Sequence, residues 1–399
     1  MRILMFSWEY PPNLTGGLGA HVSELVPALA EQGIDLTLIT PRWKGGAHCE
    51  QLSENAVVYR VDPPVERLAN FNADVQQTNI VLEAMGDRVW KERGGFDLIH
   101  AHDWLVSFAA ESLKKIYKTP LIATMHATER GRGRGQLDSS MALAINGAEW
   151  WLTFEAWRVI TTSRFMAHEV QSYFELPADK IVVIPNGVNP ARFDDFSPQE
   201  LEAFRREWAA PDEPIVFYVG RLQYEKGVHL LVEAAHRIHA RGISAQFILA
   251  GTGAIIDSLR ERVAALGIRD HFSIPGYVSD RARDQLFRVA NVAVFPSLYE
   301  PFGIVALEAM AAHCPVIVSD VGGLGEVVDD GLTGIKIPPD NLDALVNAIL
   351  DVLGNPAVAE ERAGRAYVVV CHEFGWNHIA RKTIDLYAEI IEARKHVDW

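Results

Sequence analysis

Short apolar segments alternate with longer amphipathic segments along most of the chain. The apolar segments predict strands at 3–6, 34–39, 96–100, 121–124, 159–162, 181–184, 215–219, 247–250, 272–274, 292–295 and 316–319. Helical patterns lie between them, as at 20–31, and a last one lies at 376–394. Alternation of strand and helix indicates parallel strands joined by right-handed crossovers. The pattern therefore predicts the α/β class.

A cluster of turn-forming residues divides these elements into two sets. Residues 185–190 read Pro-Asn-Gly-Val-Asn-Pro, and a polar segment follows at 194–214. We therefore predict two doubly wound, Rossmann-like domains, at 1–188 and 189–375. Such sheets bind ligands outside the carboxyl ends of their strands, so two facing domains would form a cleft.

One predicted strand–loop–helix junction has the features of an anion site. Good helix formers begin at Ile304, after a break in the strand pattern. Unpaired backbone N–H groups at a helix start attract anions, and Phe302, Gly303 and Ile304 would supply them here. Glu300 and Glu308 flank this position and could hold ligand hydroxyls. An ordinary helix entry with two solvated glutamates has the same local pattern.

Composition restricts the class of protein. Of the 399 residues, 49% are hydrophobic and 22% are charged, which is typical of a soluble globular protein. No apolar run approaches the roughly 20 residues that span a bilayer, and the first residues read as a strand rather than a signal peptide. The formal net charge of −15 argues against nucleic acid or anionic membranes as main partners. Three scattered cysteines, Cys49, Cys314 and Cys371, are typical of free thiols, so we expect a cytoplasmic protein.

Three segments in the first half could bind ligands. Residues 16–19 (Gly-Gly-Leu-Gly) precede a helix and would let a phosphate approach closely, although a structural turn has the same sequence. His100 and His102 share one strand face, but no third ligand has a clear spacing, so no metal site is predicted. Asp103 follows them directly. His126 ends another strand, where a buried, hydrogen-bonded histidine is the alternative to a binding role.

Two cations stand out in the second half. Arg221 and Lys226 lie five residues apart in the loop after the strand at 215–219. Both could reach a pyrophosphate, or they could form a solvated charge cluster. Residues 251–253 (Gly-Thr-Gly) and 276–278 (Gly-Tyr-Val) are further loops at strand ends.

These motifs together resemble a known family. Residues 299–311 (Tyr-Glu-Pro-Phe-Gly-Ile-Val-Ala-Leu-Glu-Ala-Met-Ala) resemble the donor-site signature of the retaining nucleotide-sugar glycosyltransferases of family 4. Residues 220–227 resemble the Gly-Arg-Leu…Glu-Lys-Gly motif of that family, and the likeness extends from residue 7 to the terminal helix. Within the family, the segments that look most like glycogen synthase-like α-1,4-glucan glucosyltransferases are 8–10, 102–104 and 126–129. Residues 14–15 (Leu-Thr) depart from bacterial glycogen synthases, which carry a lysine just before the glycines.

The resemblance implies the GT-B architecture. An acceptor-side domain would cover 1–188, a nucleotide-sugar-binding domain would cover 189–375, and the C-terminal helix, 376–399, would pack back on the first domain. The implied catalytic residues are His126, Arg221, Lys226 and Glu300, and Asp103 would bind the acceptor. The implied donor-binding residues are Gly16, Gly17, Arg221, Lys226, Gly251, Thr252, Tyr277, Val278, Glu300, Phe302, Gly303, Ile304 and Glu308. No metal and no other cofactor is implied.

We therefore expect retaining transfer of glucose from ADP- or UDP-glucose to the non-reducing end of an α-1,4-glucan. The base would sit in a pocket made mostly of backbone, so side chains do not distinguish ADP from UDP. The Arg/Gly-rich loop at 128–137 could be a lid, a site for an anionic acceptor or a solvated loop. It keeps other acceptors open: a sugar phosphate, a lipid-linked sugar or a small metabolite. A nucleotide-sugar epimerase and a non-catalytic sensor are alternatives from other classes, and the intact cationic and acidic motifs argue against the sensor.

Overall fold

The computed structural model of the protein describes residues 1–64 and 70–397. Residues 65–69 and 398–399, which belong to the predicted regions 1–188 and 376–399, lie outside the described residues. The chain divides into two compact units, Met1–Gly187 with Trp376–Trp399, and Val188–Gly375. Each unit has its own buried apolar core.

A sheet of eight strands forms the centre of the first unit. The strands are β1 Arg2–Phe6, β2 Asp35–Pro41, β3 Cys49–Ser53, β4 Ala56–Val61, β5 Leu98–His102, β6 Leu121–Met125, β7 Arg158–Thr161 and β8 Ile181–Val183. Their order across the sheet is β3-β4-β2-β1-β5-β6-β7-β8. The edge strand β3 runs antiparallel to β4, and the other pairs are parallel. The order reverses between β1 and β5, which is the switch point where doubly wound sheets bind ligands.

Helices cover both faces of this sheet, as parallel connections require. They are α1 Gly17–Glu31, α2 Phe71–Arg93, α3 Ser107–Tyr117, α4 Glu129–Arg132, α5 Ser140–Glu155 and α6 Arg164–Phe174. The side chains of Ser139 and Ser163 accept backbone N–H groups at the starts of α5 and α6, which satisfies donors that the helices leave unpaired.

Two observed element boundaries differ from the predictions in a way that changes which element contains a candidate residue. The strand predicted at 96–100 lies at Leu98–His102, so His102 ends β5 and Asp103 follows it. The helix predicted at 20–31 begins at Gly17. Its first turn packs so closely on the preceding loop that a side chain at Gly19 would overlap those of Glu9 and Leu14. Glycine therefore permits the earlier start despite its low helix propensity.

The second unit is built on a fully parallel sheet. Its strands are β9 Ile215–Val219, β10 Gln246–Ala250, β11 Phe272–Gly276, β12 Val292–Phe295, β13 Val316–Ser319 and β14 Ile335–Ile337. The order β11-β10-β9-β12-β13-β14 is the Rossmann order, 3-2-1-4-5-6. Its switch point lies between β9 and β12. The predicted fold class, two Rossmann-like doubly wound α/β domains, is confirmed.

The helices of the second unit follow its strands in the same alternation. They are α7 Pro198–Arg206, α8 Val228–His239, α9 Ile256–Ala265, α10 Asp280–Val289, α11 Ile304–Ala311, α12 Leu324–Val327, α13 Leu342–Gly354 and α14 Pro356–Glu373. The last helix, α15 Trp376–Arg394, belongs to the first unit. It shares a buried cluster with α1, to which it contributes Ile379, Leu386, Tyr387 and Ile390.

Candidate active site

The loops at the carboxyl ends of two neighbouring strands, β9 and β12, are joined by an ion pair. Lys226 ends a short 3₁₀ turn after β9, and its Nζ lies 2.8 Å from Oε2 of Glu300, in the loop after β12. Both side chains are largely buried, with 14% and 13% exposed. The loops approach so closely that a side chain at Gly227 would overlap the carbonyl of Pro296. The switch point of this sheet therefore holds a partly desolvated cation beside a carboxylate.

The start of α11 lies beside this pair. The helix begins at Ile304, and Gly303 precedes it with a φ of 97°. A side chain at Gly303 would overlap that of Leu324, so both backbone conformation and space favour glycine. The carbonyl of Glu300 accepts the N–H of Gly323 at 2.9 Å, which fixes the loop against the next strand's loop. The unpaired N–H groups of this helix start can receive a phosphate.

Backbone hydrogen bonds tie together the loops after β9, β10 and β11. The N–H of Leu222 donates to the carbonyl of Thr252 at 2.8 Å, and the N–H of Gly251 donates to that of Gly276 at 2.7 Å. Gly251 has a φ of 134°, and a side chain there would overlap the carbonyl of Gly220. This edge of the sheet is therefore a surface of closely packed backbone that a ligand can approach.

Side chains at the same edge are more exposed than Lys226. The side chain of Arg221 is 46% exposed and lies 3.7 Å from Glu225. Tyr277 is 77% exposed, and Val278 beside it is partly buried. Arg221 and Tyr277 are less buried than the Lys226–Glu300 pair. Solvent therefore screens the charge of Arg221 more strongly than that of Lys226.

Glu308, one turn into α11, is buried in a cluster of charges. Its Oε1 accepts a hydrogen bond from Nη2 of Arg192 at 2.7 Å, and Arg283 lies at 3.9 Å. The same Nη2 of Arg192 lies 3.0 Å from Asp284. Burial acts to raise the pKa of Glu308, but Arg283 and Arg192 outweigh it and hold that pKa below its ordinary value. Glu308 is therefore a fixed, ionised acceptor.

In the first unit, Asp103 and His126 follow the carboxyl ends of β5 and β6. Oδ1 of Asp103 accepts the backbone N–H of His126 at 2.7 Å, and Asp103 has a φ of 61°. Burial raises the pKa of Asp103 to about 7, against the hydrogen bond from His126 and the charge of Arg132. Burial lowers the pKa of His126 to about 3, so its imidazole is neutral at pH 7.

Two more histidines lie beside His126. Nδ1 of His102 is 3.2 Å from Nε2 of His126. His21, on α1, lies with its ring centroid 4.8 Å from that of His126, and its Nδ1 is 2.7 Å from Oδ1 of Asn186. Burial, with the nearby histidines, lowers the pKa of His21 and of His102 well below the ordinary value. The first unit therefore contains a compact group of neutral imidazoles.

The loop before α1 binds a carboxylate of this chain. The N–H groups of Thr15 and Gly16 donate to Oε2 of Glu9, at 2.9 and 3.1 Å. Gly17 is the first residue of α1, and Gly16 caps it without a side-chain contact. In this structure the backbone of the loop therefore binds a carboxylate of the chain itself, that of Glu9.

The Arg/Gly-rich loop is anchored at its first residues. Thr128 caps the short helix α4, and both oxygens of Glu149, on α5, accept the N–H of Glu129, at 2.9 and 3.1 Å. Glu149 is fully buried, and this burial raises its pKa to about 8. Arg132, in α4, is exposed and lies 3.4 Å from Oε2 of Glu129. The anchored loop therefore exposes a guanidinium whose charge Glu129 partly neutralises.

Comparison with known proteins agrees with this arrangement. The model described as Glycosyltransferase Family 4 matches residues 15–192, and that described as Glycosyl transferases group 1 matches residues 200–367. The uncharacterized glycosyltransferase MJ1607 of Methanocaldococcus jannaschii is 37% identical, over 98% of this chain and 99% of its own. The glycogen synthase of Mycobacterium tuberculosis is 35% identical, over 97% and 94% of the two chains. This chain is a family 4 glycosyltransferase.

Two further similarities fit this assignment. The alpha-maltose-1-phosphate synthase of Mycobacterium tuberculosis is 31% identical to this glycosyltransferase, over 98% of this chain and 100% of its own. The solved sucrose-phosphate synthase from Thermosynechococcus elongatus has a TM-score of 0.83 at 26% identity, over 98% and 99% of the two chains. The predictions of the family, of a glycosyltransferase enzyme and of the GT-B fold are confirmed.

The structure places the predicted site residues of this glycosyltransferase in two groups. In the second unit they lie at the carboxyl ends of β9, β10, β11 and β12, and in the first unit at the ends of β1, β5 and β6. Sequence reasoning missed Arg192 and Arg283, which contact Glu308, and Glu149, which anchors the Arg/Gly-rich loop at Glu129. Arg192 bonds Glu308 across 116 residues of sequence, and no local pattern signals that pairing.

The described residues contain no single helix long and apolar enough to cross a membrane. The pair Leu342–Gly354 and Pro356–Glu373 passes that test only when its two helices are taken together, and they meet at an angle of 99°.

Proposed function

We propose that this glycosyltransferase transfers glucose, with retention of configuration, from ADP- or UDP-glucose to the non-reducing end of an α-1,4-glucan. The observation that carries the proposal is the buried Lys226–Glu300 pair beside the start of α11. It combines a cation and helix N–H groups for a diphosphate with a carboxylate for sugar hydroxyls. The 35% identity to a glycogen synthase supports glucan as the acceptor.

The second unit would bind the nucleotide part of the donor. Lys226, Arg221 and the N–H groups at the start of α11 would surround the diphosphate. Glu308 would accept hydrogen bonds from the ribose hydroxyls, because Arg192 holds its carboxylate in place. The backbone surface formed by 220–222, 251–252 and 276–278 would line the base pocket.

Transfer would break the bond between the sugar C1 and the diphosphate oxygen and form a bond from C1 to the acceptor oxygen on the same face. The acceptor hydroxyl would give its proton to the departing diphosphate oxygen. Lys226 and Arg221 would stabilise the negative charge that develops on the diphosphate, and fixed charges of this kind contribute several kcal/mol to catalysis. These cations supply the neutralisation that a metal ion gives in other enzymes, so we propose transfer without a metal or other cofactor.

Residues of the first unit would position the reacting groups. His126 is neutral at pH 7 and would exchange hydrogen bonds with sugar hydroxyls without competing for a proton. Asp103 would hold the acceptor hydroxyl. Glu300 would fix hydroxyls of the donor sugar.

A second candidate acceptor is a sugar phosphate. Arg132 of the Arg/Gly-rich loop is exposed on an anchored turn and could pair with a phosphate group. The 31% identity to an alpha-maltose-1-phosphate synthase favours this alternative over a lipid-linked sugar.

The test is nucleoside diphosphate release from ADP-, UDP- and GDP-sugars, measured alone, with glycogen or maltooligosaccharides, and with glucose 1-phosphate. Release from ADP- or UDP-glucose that rises with glucan, together with chain extension, is the expected result. Release that rises only with the sugar phosphate would replace the glucan with the second acceptor. Conversion of the donor sugar without any acceptor would identify an epimerase, and binding without turnover would identify a sensor.

A further inference from the structure

Three histidines from three separate elements converge in the first unit. His21 comes from α1, His102 from the end of β5 and His126 from the loop after β6. One ring nitrogen of each lies within 4.8 Å of those of the other two. We refer to these residues as the histidine triad. Sequence spacing did not reveal it, because His21 lies 81 and 105 positions before its two partners.

The spacing of the triad is close to that of a metal site. Four nitrogen ligands around Zn²⁺ at about 2.0–2.1 Å lie roughly 3.3 Å from one another. Nδ1 of His102 and Nε2 of His126 are already 3.2 Å apart. The ring centroid of His21 lies 4.8 Å from that of His126 and 5.4 Å from that of His102. Small side-chain rotations would therefore bring three nitrogens onto one ion.

The surroundings keep these rings as neutral imidazoles, the form that binds metal ions. His21 and His102 are buried, where an imidazolium without a counter-charge is costly. Nδ1 of His21 faces the amide oxygen of Asn186 at 2.7 Å, so it donates its proton there and leaves the lone pair on Nε2. An oxygen acceptor behind the ring is the usual support of a metal-bound histidine.

The hydrogen bonding of His102 is incomplete. Its Nδ1, which faces Nε2 of His126, is the nitrogen that would bind the ion, and its other ring nitrogen, Nε2, is buried with no hydrogen-bond partner among the described residues. By contrast, the neighbouring His100 is fully satisfied by Tyr387, at 2.6 Å, and Thr124, at 2.7 Å. A buried ring that forms only one weak contact, with another histidine, is poorly explained by hydrogen bonding alone.

We propose that the histidine triad binds one divalent transition-metal ion of the Zn²⁺ type. His21, His102 and His126 would each contribute one nitrogen, and water or a ligand oxygen would take the fourth position. Imidazole suits Zn²⁺, Co²⁺ and Ni²⁺, whereas Mg²⁺ and Ca²⁺ require oxygen ligands. The site is therefore selective against the metals that most often accompany nucleotide phosphates.

The experiment uses the full-length protein after chelator treatment and dialysis. Zn²⁺ binding is measured by calorimetry, and Co²⁺ binding by its visible absorption, which is strong for tetrahedral nitrogen sites. We expect one ion per chain with micromolar or tighter affinity. His21→Asn and His102→Asn should each weaken binding at least tenfold, whereas His378→Asn, at an exposed position on α15, should bind like the wild type.

The outcome does not depend on every variant folding. Circular dichroism checks each variant, and X-ray absorption of the Zn²⁺-loaded wild-type protein counts its histidine ligands independently. Three imidazole ligands would support the triad. An ion with fewer imidazole ligands, unaltered affinity in both folded variants, or no binding below millimolar Zn²⁺ would overturn the proposal and leave the triad as a hydrogen-bonded cluster.

Discussion

At the residue scale, Lys226 is both the cation proposed for the diphosphate and the ion-pair partner of Glu300. Lys226→Ala removes the cation proposed for the diphosphate and leaves Glu300 buried without its partner. We expect kcat/KM for nucleotide release to fall about 10²–10³-fold, since a preorganised charge stabilises the transition state by several kcal/mol. Lys382→Ala, at an exposed position, should match the wild type. Undiminished transfer by a folded Lys226→Ala protein would exclude the proposed role.

Arg192 is a positioning residue for Glu308. One guanidinium nitrogen bonds both Glu308 and Asp284, so Arg192→Ala frees the carboxylate proposed for the ribose. A ribose contact is present in both ground and transition states, so we expect the donor KM to rise about tenfold with a smaller change in kcat. Arg192→Lys should restore part of the affinity, and Arg281→Ala, on the surface near Glu200, should have no effect. A fall in kcat alone would argue that Arg192 acts on the reaction itself.

Glu149 should make stability depend on pH in a defined window. Its pKa is raised from 4.5 to about 8 by burial, so between these values the folded protein keeps a proton that the unfolded chain releases. The free energy of unfolding therefore falls as pH rises from about 5 to 8.

The variant Glu149→Gln lacks this titration. Its free energy of unfolding, minus that of the wild type, should increase across the same window by a few kcal/mol, measured by denaturant unfolding at several pH values. Glu360→Gln, at an exposed position, should give a constant difference. A constant difference for Glu149→Gln as well would show that this carboxyl is ionised in the folded protein.

These residues mark what sequence could predict about the site. Local patterns select Arg221 and Lys226, which lie in one loop, and Glu300 and Glu308, which lie in one loop and the helix that follows it. Their partners do not: Lys226 meets Glu300 across 74 residues, and Glu308 meets Arg192 across 116. Pairings of that kind follow from the order of strands in the sheet, which no local pattern contains.

At the element scale, the start of α11 depends on one glycine. Gly303 has a φ of 97°, and a side chain there would overlap Leu324. We expect Gly303→Ala to cost about 1–3 kcal/mol of stability and to weaken nucleoside diphosphate binding, because the strained loop displaces the N–H groups of the helix start. Thermal unfolding and calorimetry with ADP and UDP measure both effects.

Gly364 provides the matched control. It lies inside α14, and a side chain there would meet nothing within 4 Å. Gly364→Ala should therefore stabilise the protein slightly, by about 0.5–1 kcal/mol, and leave binding unchanged. Equal effects of the two substitutions would mean that the conformation of Gly303 is not special.

Most strands were predicted where apolar segments were short and bounded by turn residues, but β4, which has such a segment, and the short β14 were missed. The strands at 215–219, 292–295 and 316–319 have the predicted limits. The edge strand β3 was missed because its residues, Cys-Glu-Gln-Leu-Ser, are mostly exposed and lack an apolar run. The long helix α2 was missed for a related reason, since it buries a narrow stripe within a largely polar segment. Partial burial leaves a weaker pattern than full burial does.

At the scale of the whole molecule, repeated alternation of strand and helix was enough to predict two doubly wound units. The alternation did not predict that α15 packs on the first unit. Its packing against α1 and the hydrogen bond between Tyr387 and His100 join residues 287 positions apart. The pattern predicts an amphipathic helix there but not the surface that covers it, so that placement came from the family resemblance alone.

The charge of the whole molecule sets the last prediction. With a net charge of −15, the protein must hold an anionic donor through a few local cations, and Arg221, Lys226 and the start of α11 suffice in the proposed mechanism. Transfer should therefore be unchanged by EDTA. Added Zn²⁺ should inhibit competitively with the donor, because an ion in the histidine triad would occupy the nitrogen of His126 proposed to contact the sugar. His21→Asn should raise the inhibition constant at least tenfold, and His378→Asn should leave it unchanged. Loss of activity in EDTA, restored by Mg²⁺, would instead show that the cations of this chain do not neutralise the diphosphate by themselves.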